Sequence, residues 1–452
     1  MKVSFYTLGC KVNQYETQML RERFADAGYE TVGEDDPADI YIINTCTVTN
    51  LSDRKSRQRI RRVKKMNGDA VIVVTGCYAQ TDAEAVAAIP GVSVVAGTNE
   101  KAHIVEFVED YLRRRDHDGE QGSRRSEKAE IHVLDYENLT GYEETGCITS
   151  MDSRTRAYIK IQEGCDRFCS YCIIPYARGK VRSRELGEIV AEARNLVNAG
   201  FKEIVLTGIN TALYGYDREE KSGRRGVEAA VAAISGIEGD FRIRLSSLEP
   251  NVVDEETARR LTAYPKLCPH MHLSLQSGSD SVLRRMNRRY DIEAYQRIVS
   301  VFRQSDPLFA VTTDIIAGFP GETEEEFQES LETIRRIGFS RVHAFRYSAR
   351  RGTAAAVMPD QISGTVKSLR MEKLISLAEE EAQRFFLKNI GTRRRVLFER
   401  YDAGESMLNG FTDNYIHVYC SVPQDQAEKY LNGFAFVLLK EIHEDGLLGE
   451  IV

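Results

Sequence analysis

The chain has 452 residues, 42% of them hydrophobic, and its 68 acidic against 61 basic side chains give a formal net charge of −7. That length predicts two to four domains with sizeable cores, and the acidic balance argues against a generic nucleic-acid coat while leaving room for a local basic face. No apolar run reaches the ~20 residues that span a bilayer, the first ten residues lead into a polar helix rather than a secretory leader, and nine widely spaced cysteines suit metal ligation in a reducing, cytoplasmic setting better than a disulfide framework.

In chain order, Val3–Leu8, Ile40–Asn44, Val71–Thr75 and Val92–Ala96 read as buried strands. Between and after them, Gln14–Ala27, the strongly basic Leu51–Lys65 and Lys101–Arg115 read as helices, so residues 1–115 are expected to form an open parallel α/β sheet domain. The polar stretch Arg113–Lys128 has no apolar period and predicts a linker over residues 116–144. Residues 145–386 open with strand Arg156–Gln162 and continue with strands Glu203–Thr207, Arg242–Ser246, His270–Leu275, Phe309–Ile316 and Arg341–Phe345. Helical patterns at Glu185–Ala199, Asp254–Thr262, Asp280–Met286, Ile292–Gln304 and Glu324–Ile337 alternate with them, which predicts a partial (β/α) barrel with its chemistry at the C-terminal strand ends. Residues 387–452 change to short alternating runs, Arg394–Glu399, Tyr415–Tyr419 and Ala435–Glu441, and predict a small all-β barrel of five strands. The fold class is α/β overall.

Cys165, Cys169 and Cys172 follow a Cys-x-x-x-Cys-x-x-Cys spacing, with Tyr171 just before the last thiol. Three thiolates on one short loop can hold three corners of a [4Fe–4S] cube and leave the fourth iron open to a small molecule. Structural zinc normally takes four closed ligands in paired motifs, and the chain has no second Cys-x-x-Cys or His-x-x-x-His pair to supply them. Cys10, Cys46 and Cys77 each follow an apolar strand. Parallel strands end on one edge, where open α/β sheets place ligands, so these thiols are expected to converge and to hold a second cluster, with Gly9 and Gly76 admitting close approach. The alternative is three buried thiols acting as small hydrophobes. Cys268, His270 and His272 alternate on one strand and could share a face, although packed imidazoles are the commoner arrangement. Cys147 and Cys420 read as inert.

Beyond the cysteine loop, Leu8-Gly9-Cys10-Lys11-Val12-Asn13-Gln14-Tyr15-Glu16, Asn44-Thr45-Cys46, Thr75-Gly76-Cys77, Ser274–Ser279 and Asp314–Glu322 are specific motifs. Together they make the chain resemble, from end to end, the radical S-adenosylmethionine (SAM) methylthiotransferases. The resemblance implies an N-terminal cluster domain, a central radical SAM barrel and a C-terminal TRAM barrel that binds RNA. It also implies two [4Fe–4S] clusters and S-adenosyl-L-methionine, one SAM methylating sulfur at the second cluster and another yielding the radical that activates C2 of an adenine. That carbon has neither a leaving group nor a usefully acidic proton, which is why a radical cofactor is needed. Lys11-Val12-Asn13 and Asp413-Asn414-Tyr415-Ile416 resemble the branch acting on N6-threonylcarbamoyladenosine beside the tRNA anticodon. Alternative substrates are an isopentenyladenosine tRNA or a ribosomal-protein side chain; a non-catalytic iron–sulfur or zinc RNA-binding protein is the alternative of another class. By the same resemblance Tyr171, Gly208, Gln276, Ile316 and Gly318 are expected to hold SAM, and an electron donor such as a flavodoxin or ferredoxin is an expected partner. A helical charge run is often only a solvated face. Here it adjoins Cys46, so Arg57, Arg61 and Lys64 are expected phosphate contacts, joined by Arg394 and Tyr415 of the C-terminal barrel on a single-stranded anticodon loop.

Overall fold

Runs dense in Val and Ile pair in parallel to start the fold. In the computed structural model, which describes residues 1–120, 128–139, 141–143, 146–151, 155–218 and 226–452, the first sheet has six strands. Their order is Glu30–Val32, Lys2–Thr7, Ile40–Thr45, Val71–Gly76, Val94–Ala96 and Glu130–His132, every pair parallel. Ile40–Thr45 and Val71–Gly76 are buried along their whole length, as strands covered on both faces must be. The basic helix Asn50–Met66 begins where the Thr49 side chain accepts from the Ser52 N–H, and it buries Ser56, Ile60 and Val63 one turn apart against the sheet.

The chain forms two compact units. The first comprises Met1–Ile148, Lys160–Arg184 and Ser348–Ala356, and the second Thr149–Ile159, Glu185–Tyr347 and Val357–Val452. The expected linker over 116–144 is corrected. Helix Ile104–Glu120 runs through its start and Glu130–His132 adds the sixth strand, with Val95 opposite Ile131. Ile131 and Val133 pack on the sheet's core, an apolar pair too short to register as a period. Residues 121–127, 140 and 144 of that expected linker, and residue 145 of the expected barrel domain, lie outside the described residues. The three-cysteine loop also groups with the first unit rather than with the remaining barrel strands.

In the second unit, strands Glu203–Gly208 and Arg242–Leu245 are parallel neighbours, and His270–His272, Ala310–Ala317 and Arg341–Arg346 form a second parallel set. Parallel bridges Ile243↔Leu267 and Leu248↔Leu273 join the two sets into the curled sheet of a half-barrel. Helix Glu324–Ile337 has a complete capping box between Thr323 and Glu326. The 26-residue helix Gly364–Asn389, not anticipated from the sequence, buries Arg370, Leu374, Leu377, Glu381 and Phe385. Five strands close the C-terminal barrel in the order Arg393–Asp402, Met407–Thr412, His417–Ser421, Gly446–Ile451, Phe434–His443. Among the described residues no helix is long and apolar enough to cross a membrane.

One buried carboxylate organises the second unit. Glu203 accepts from Arg242 Nε at 2.5 Å and from Arg244 Nε and Nη2 at 3.0 Å each, with Arg156 Nε 3.3 Å away. The same arginines reach the C-terminal barrel: Arg242 Nη2 donates to the Phe411 carbonyl at 3.2 Å and Arg244 Nη2 to that of Asp413 at 3.3 Å. Burial opposes ionisation of Glu203, but Arg244, Arg242 and Arg156 hold it well below the usual carboxylate range. Replacing Glu203 by Gln leaves Arg242 and Arg244 without their carboxylate and Arg156 with Glu399 alone, and is expected to lower the unfolding free energy by ~3–5 kcal/mol at neutral pH. Because the folded carboxyl titrates below its unfolded value of 4.5, its contribution is complete above that value and is lost as pH falls towards the folded pKa. Urea unfolding should therefore show the gap between wild type and Glu203→Gln narrowing in acid.

Candidate metal and cofactor site

Register places three thiols on one edge of the first sheet. Thr7 pairs with Asn44 and Thr45 with Gly76, so the ends that precede Cys10, Cys46 and Cys77 lie side by side. Cys10 stands at the N-cap of helix Lys11–Asp26 and Cys77 opens helix Cys77–Thr81. The approach is close enough to require glycine. At Gly9 (φ +116°) a Cβ would lie 3.0 Å from Cys46 Cβ, and at Gly76 (φ +93°) it would run into the Thr45 carbonyl oxygen. Burial pushes the Cys46 thiol up to about 11, and Cys77 and Cys10 both add to the rise, so the three sulfurs share one electrostatic neighbourhood.

The second set of thiols hangs on the loop after strand Arg156–Glu163. Cys165 N–H donates to the Gly179 carbonyl at 2.9 Å, Cys172 N–H to that of Cys169 at 2.9 Å, and Ala355 N–H to that of Ser170 at 2.7 Å. Cys165, Cys169 and Cys172 all keep partial exposure. The short helix Ile174–Arg178, with Pro175 in its first turn, then carries Arg178 back into the interior.

Arg178 joins the two sets. Its side chain has no exposed surface, yet every nitrogen finds an acceptor. Nε donates to Cys77 Sγ at 3.2 Å, Nη1 to Glu16 at 2.6 Å and Glu163 at 3.1 Å, and Nη2 to Asn13 Oδ1 at 2.7 Å. Asn13 in turn donates to the carbonyls of Leu8 at 2.7 Å and Thr45 at 3.0 Å, locking the turn that bears Cys10. Lys101 pairs with Glu16, and Lys160 Nζ lies 3.1 Å from Glu163 and 3.4 Å from Glu16. Burial opposes both carboxylates, but Arg178 and Lys160, with Lys101 at Glu16 and Arg182 at Glu163, hold them below the ordinary range. Lys101 and Lys160 thus share Glu16 and Glu163 with Arg178, and the Arg178 Nε is left for Cys77. Among the described residues no three His, Cys, Asp or Glu side chains converge on a single-ion position. By chemistry each triad offers three thiols and no fourth ligand, a donor set that would leave one iron of a cube open. Cys268, His270 and His272 are not gathered around an ion: His270 and His272 both share Thr312 Oγ1, at 3.3 and 3.0 Å.

The expected SAM contacts fall in both units. Tyr171 lies in the cysteine loop of the first. In the second, Gly208 ends strand Glu203–Gly208, Gln276 pairs with Ile315 at the end of the neighbouring set, Ile316 is in strand Ala310–Ala317, and Gly318 N–H donates to Glu322 Oε2 at 2.7 Å. On the basic helix Arg61 is exposed beside a shallow cavity of about 390 Å³ that it lines with Gln58, Arg62 and Lys65. Arg57 instead donates to the Tyr78 hydroxyl at 3.1 Å and Lys64 to the Gly68 carbonyl. Arg394 is paired with Asp306 at 3.1 Å, and the Tyr415 ring lies 4.3 Å from the Arg244 guanidinium carbon. Both therefore serve the contact between half-barrel and C-terminal barrel. The sequence reading quoted Asn13 and Glu16 only as members of a motif and gave no role to Lys101, Lys160, Glu163 or Arg178. Their one local signal is charge inside a buried pattern, as at Lys160 and Glu163. Arg350 was also missed; it donates to Thr47, Asn50 and Asp53 and pins the first turn of the basic helix.

Two family models match: the radical SAM superfamily over residues 159–334 and an uncharacterized protein family, UPF0004, over residues 2–97. The threonylcarbamoyladenosine tRNA methylthiotransferase MtaB of Bacillus subtilis is 41% identical over 94% of this chain and 92% of its own length. That of Thermotoga maritima is 37% identical over 99% and 96%. A tRNA-2-methylthio-N(6)-dimethylallyladenosine synthase of Akkermansia muciniphila is 34% identical over 88% of each. Among solved structures, the radical SAM methyltransferase TsrM of Kitasatospora setae shares the fold at a TM-score of 0.58 and 16% identity, over 79% of this chain and 77% of that one. Gly76→Ala should be a sharp local probe of the thiol edge. Positive φ and the collision with Thr45 are expected to cost about 2 kcal/mol or more in chemical unfolding, and iron retained after reconstitution should fall with it.

Proposed function

The chain belongs to the radical SAM methylthiotransferases, and from that membership we propose that it adds a methylthio group to C2 of N6-threonylcarbamoyladenosine beside the anticodon of tRNA. The observation that carries the reading is the meeting, through Arg178, of the strand-end thiols with the segment that delivers the three-cysteine loop. Two thiol sets in one unit suit a reaction that needs both a radical source and a held sulfur. The substrate branch rests on relatives named for threonylcarbamoyladenosine at 41% and 37% identity, against 34% for one named for dimethylallyladenosine.

Cys165, Cys169 and Cys172 would hold one [4Fe–4S] cluster and Cys10, Cys46 and Cys77 a second. When bound, the first supplies with SAM the radical that an unactivated C–H bond demands, and the second a seat for sulfur. The chain's own residues do the rest. Asn13 and Arg178 hold the thiol-bearing turns. Tyr171, Gly208, Gln276, Ile316 and Gly318 orient SAM from the loop and the strand ends. Arg61 and its neighbours on the basic helix attract phosphate, with Arg57 and Lys64 adding charge from committed positions. A base attacked at C2 must leave its stack, which an anticodon loop allows at small cost. The electron donor is expected to be a flavodoxin or ferredoxin.

Two substitutions separate the thiol sets. Cys169→Ala is expected to abolish 5′-deoxyadenosine formation from SAM, whereas Cys46→Ala should still cleave SAM yet form no methylthio product. Retained product with Cys46→Ala would leave the strand-end thiols structural. For the RNA, Arg61→Gln with Lys65→Gln should weaken tRNA binding and reduce the log–log salt slope by about 0.7–0.9 for each phosphate no longer neutralised. A tRNA carrying threonylcarbamoyladenosine should yield its 2-methylthio derivative, and efficient modification of an isopentenyladenosine tRNA instead would move the enzyme to the other branch.

A further inference from the structure

Arg178 has a geometry that packing alone does not call for. A guanidinium offers donors in a rigid planar fork, and here the fork is shared between a sulfur, an amide and two carboxylates without any exposed surface. Its partners come from both thiol-bearing regions. Asn13 and Glu16 follow Cys10 in the first helix, Cys77 begins its own helix, and Glu163 ends the strand two residues before Cys165. Lys101 and Lys160 already serve the carboxylates, so the Nε bond to Cys77 is not needed to neutralise them. It is spent on the sulfur.

We propose that Arg178 is a positioning residue that holds Cys77 in register with Cys10 and with the start of the three-cysteine loop, and that its N–H···S bond raises the reduction potential of the group Cys77 helps to hold. This rests on the cluster reading given above. A donor aimed at a ligating sulfur stabilises the more negative, reduced state more than the oxidised one. Lysine cannot replace the fork, because a single ammonium cannot meet sulfur, amide and both carboxylates at once.

The test isolates the strand-end thiols in the full-length chain by Cys165→Ala, Cys169→Ala and Cys172→Ala together, reconstituted with iron and sulfide. In protein carrying ¹⁵N-arginine, pulsed EPR of the reduced cluster is expected to show coupling to an arginine nitrogen. Adding Arg178→Lys should remove that coupling and shift the midpoint potential downward. The charge-balanced pair Arg178→Gln with Glu16→Gln should shift it in the same direction and lower the iron retained per chain. Iron bound without any arginine coupling, or a midpoint unchanged in Arg178→Lys, would overturn the inference and leave the cluster standing. No iron bound before Arg178 is altered would overturn the cluster reading and the inference with it. Should the Arg178 variants fail to fold, the coupling in the chain with Arg178 intact decides alone.

Discussion

A guanidinium placed where water cannot reach it costs several kcal/mol unless its donors are met. Arg178 meets that demand with Cys77, Asn13, Glu16 and Glu163, which come from three otherwise separate segments of the first unit. None of them can move away without leaving charge buried and unpaired. The turn after the first strand, the start of helix Cys77–Thr81 and the end of strand Arg156–Glu163 are thereby tied to one another. The motif Leu8–Glu16 gains a physical reason. Asn13 closes the turn on the Leu8 and Thr45 carbonyls and Glu16 supplies the counter-charge, while Cys10 is left at the edge.

The second unit uses the same device with the signs reversed. There one buried carboxylate, Glu203, gathers Arg156, Arg242 and Arg244. Arg156 also pairs with Glu399, and Arg242 and Arg244 reach the carbonyls of Phe411 and Asp413 and the Tyr415 ring. That fastens the C-terminal barrel to the half-barrel. Arg394 and Tyr415, which carry the charge and ring expected of an RNA surface, belong to the joint. On the basic helix only part of the charge is open to solvent, since Arg59 pairs with Asp35 and Arg57 leans on Tyr78.

Strand-end cysteines, the three-cysteine spacing and the alternating β/α pattern were legible because each depends on residues a few positions apart. Ile40–Thr45 and Val71–Gly76 declare themselves as buried strands by composition, and a parallel sheet then obliges Cys46 and Cys77 to share an edge. Glu130–His132 was not legible, because three residues carry no period and only the neighbouring Val94–Ala96 makes them a strand. Helix Gly364–Asn389 escaped for a related reason. Its buried face includes Arg370 and Glu381, whose polarity breaks the apolar stripe until Glu322 and Arg384 are seen beside them.

By itself the sequence determined the fold class and, through the resemblance of its motifs, the family, and it marked six cysteines at strand ends and on one loop, since spacing and periodicity are short-range properties written directly into the order of residues. The tertiary structure alone decided which charges are buried and what they face. Arg178 lies 101 residues from Cys77, 162 from Glu16 and 165 from Asn13. No local pattern marks those partners, because a buried ion is defined by the groups that replace its water, and only the folded chain brings them together.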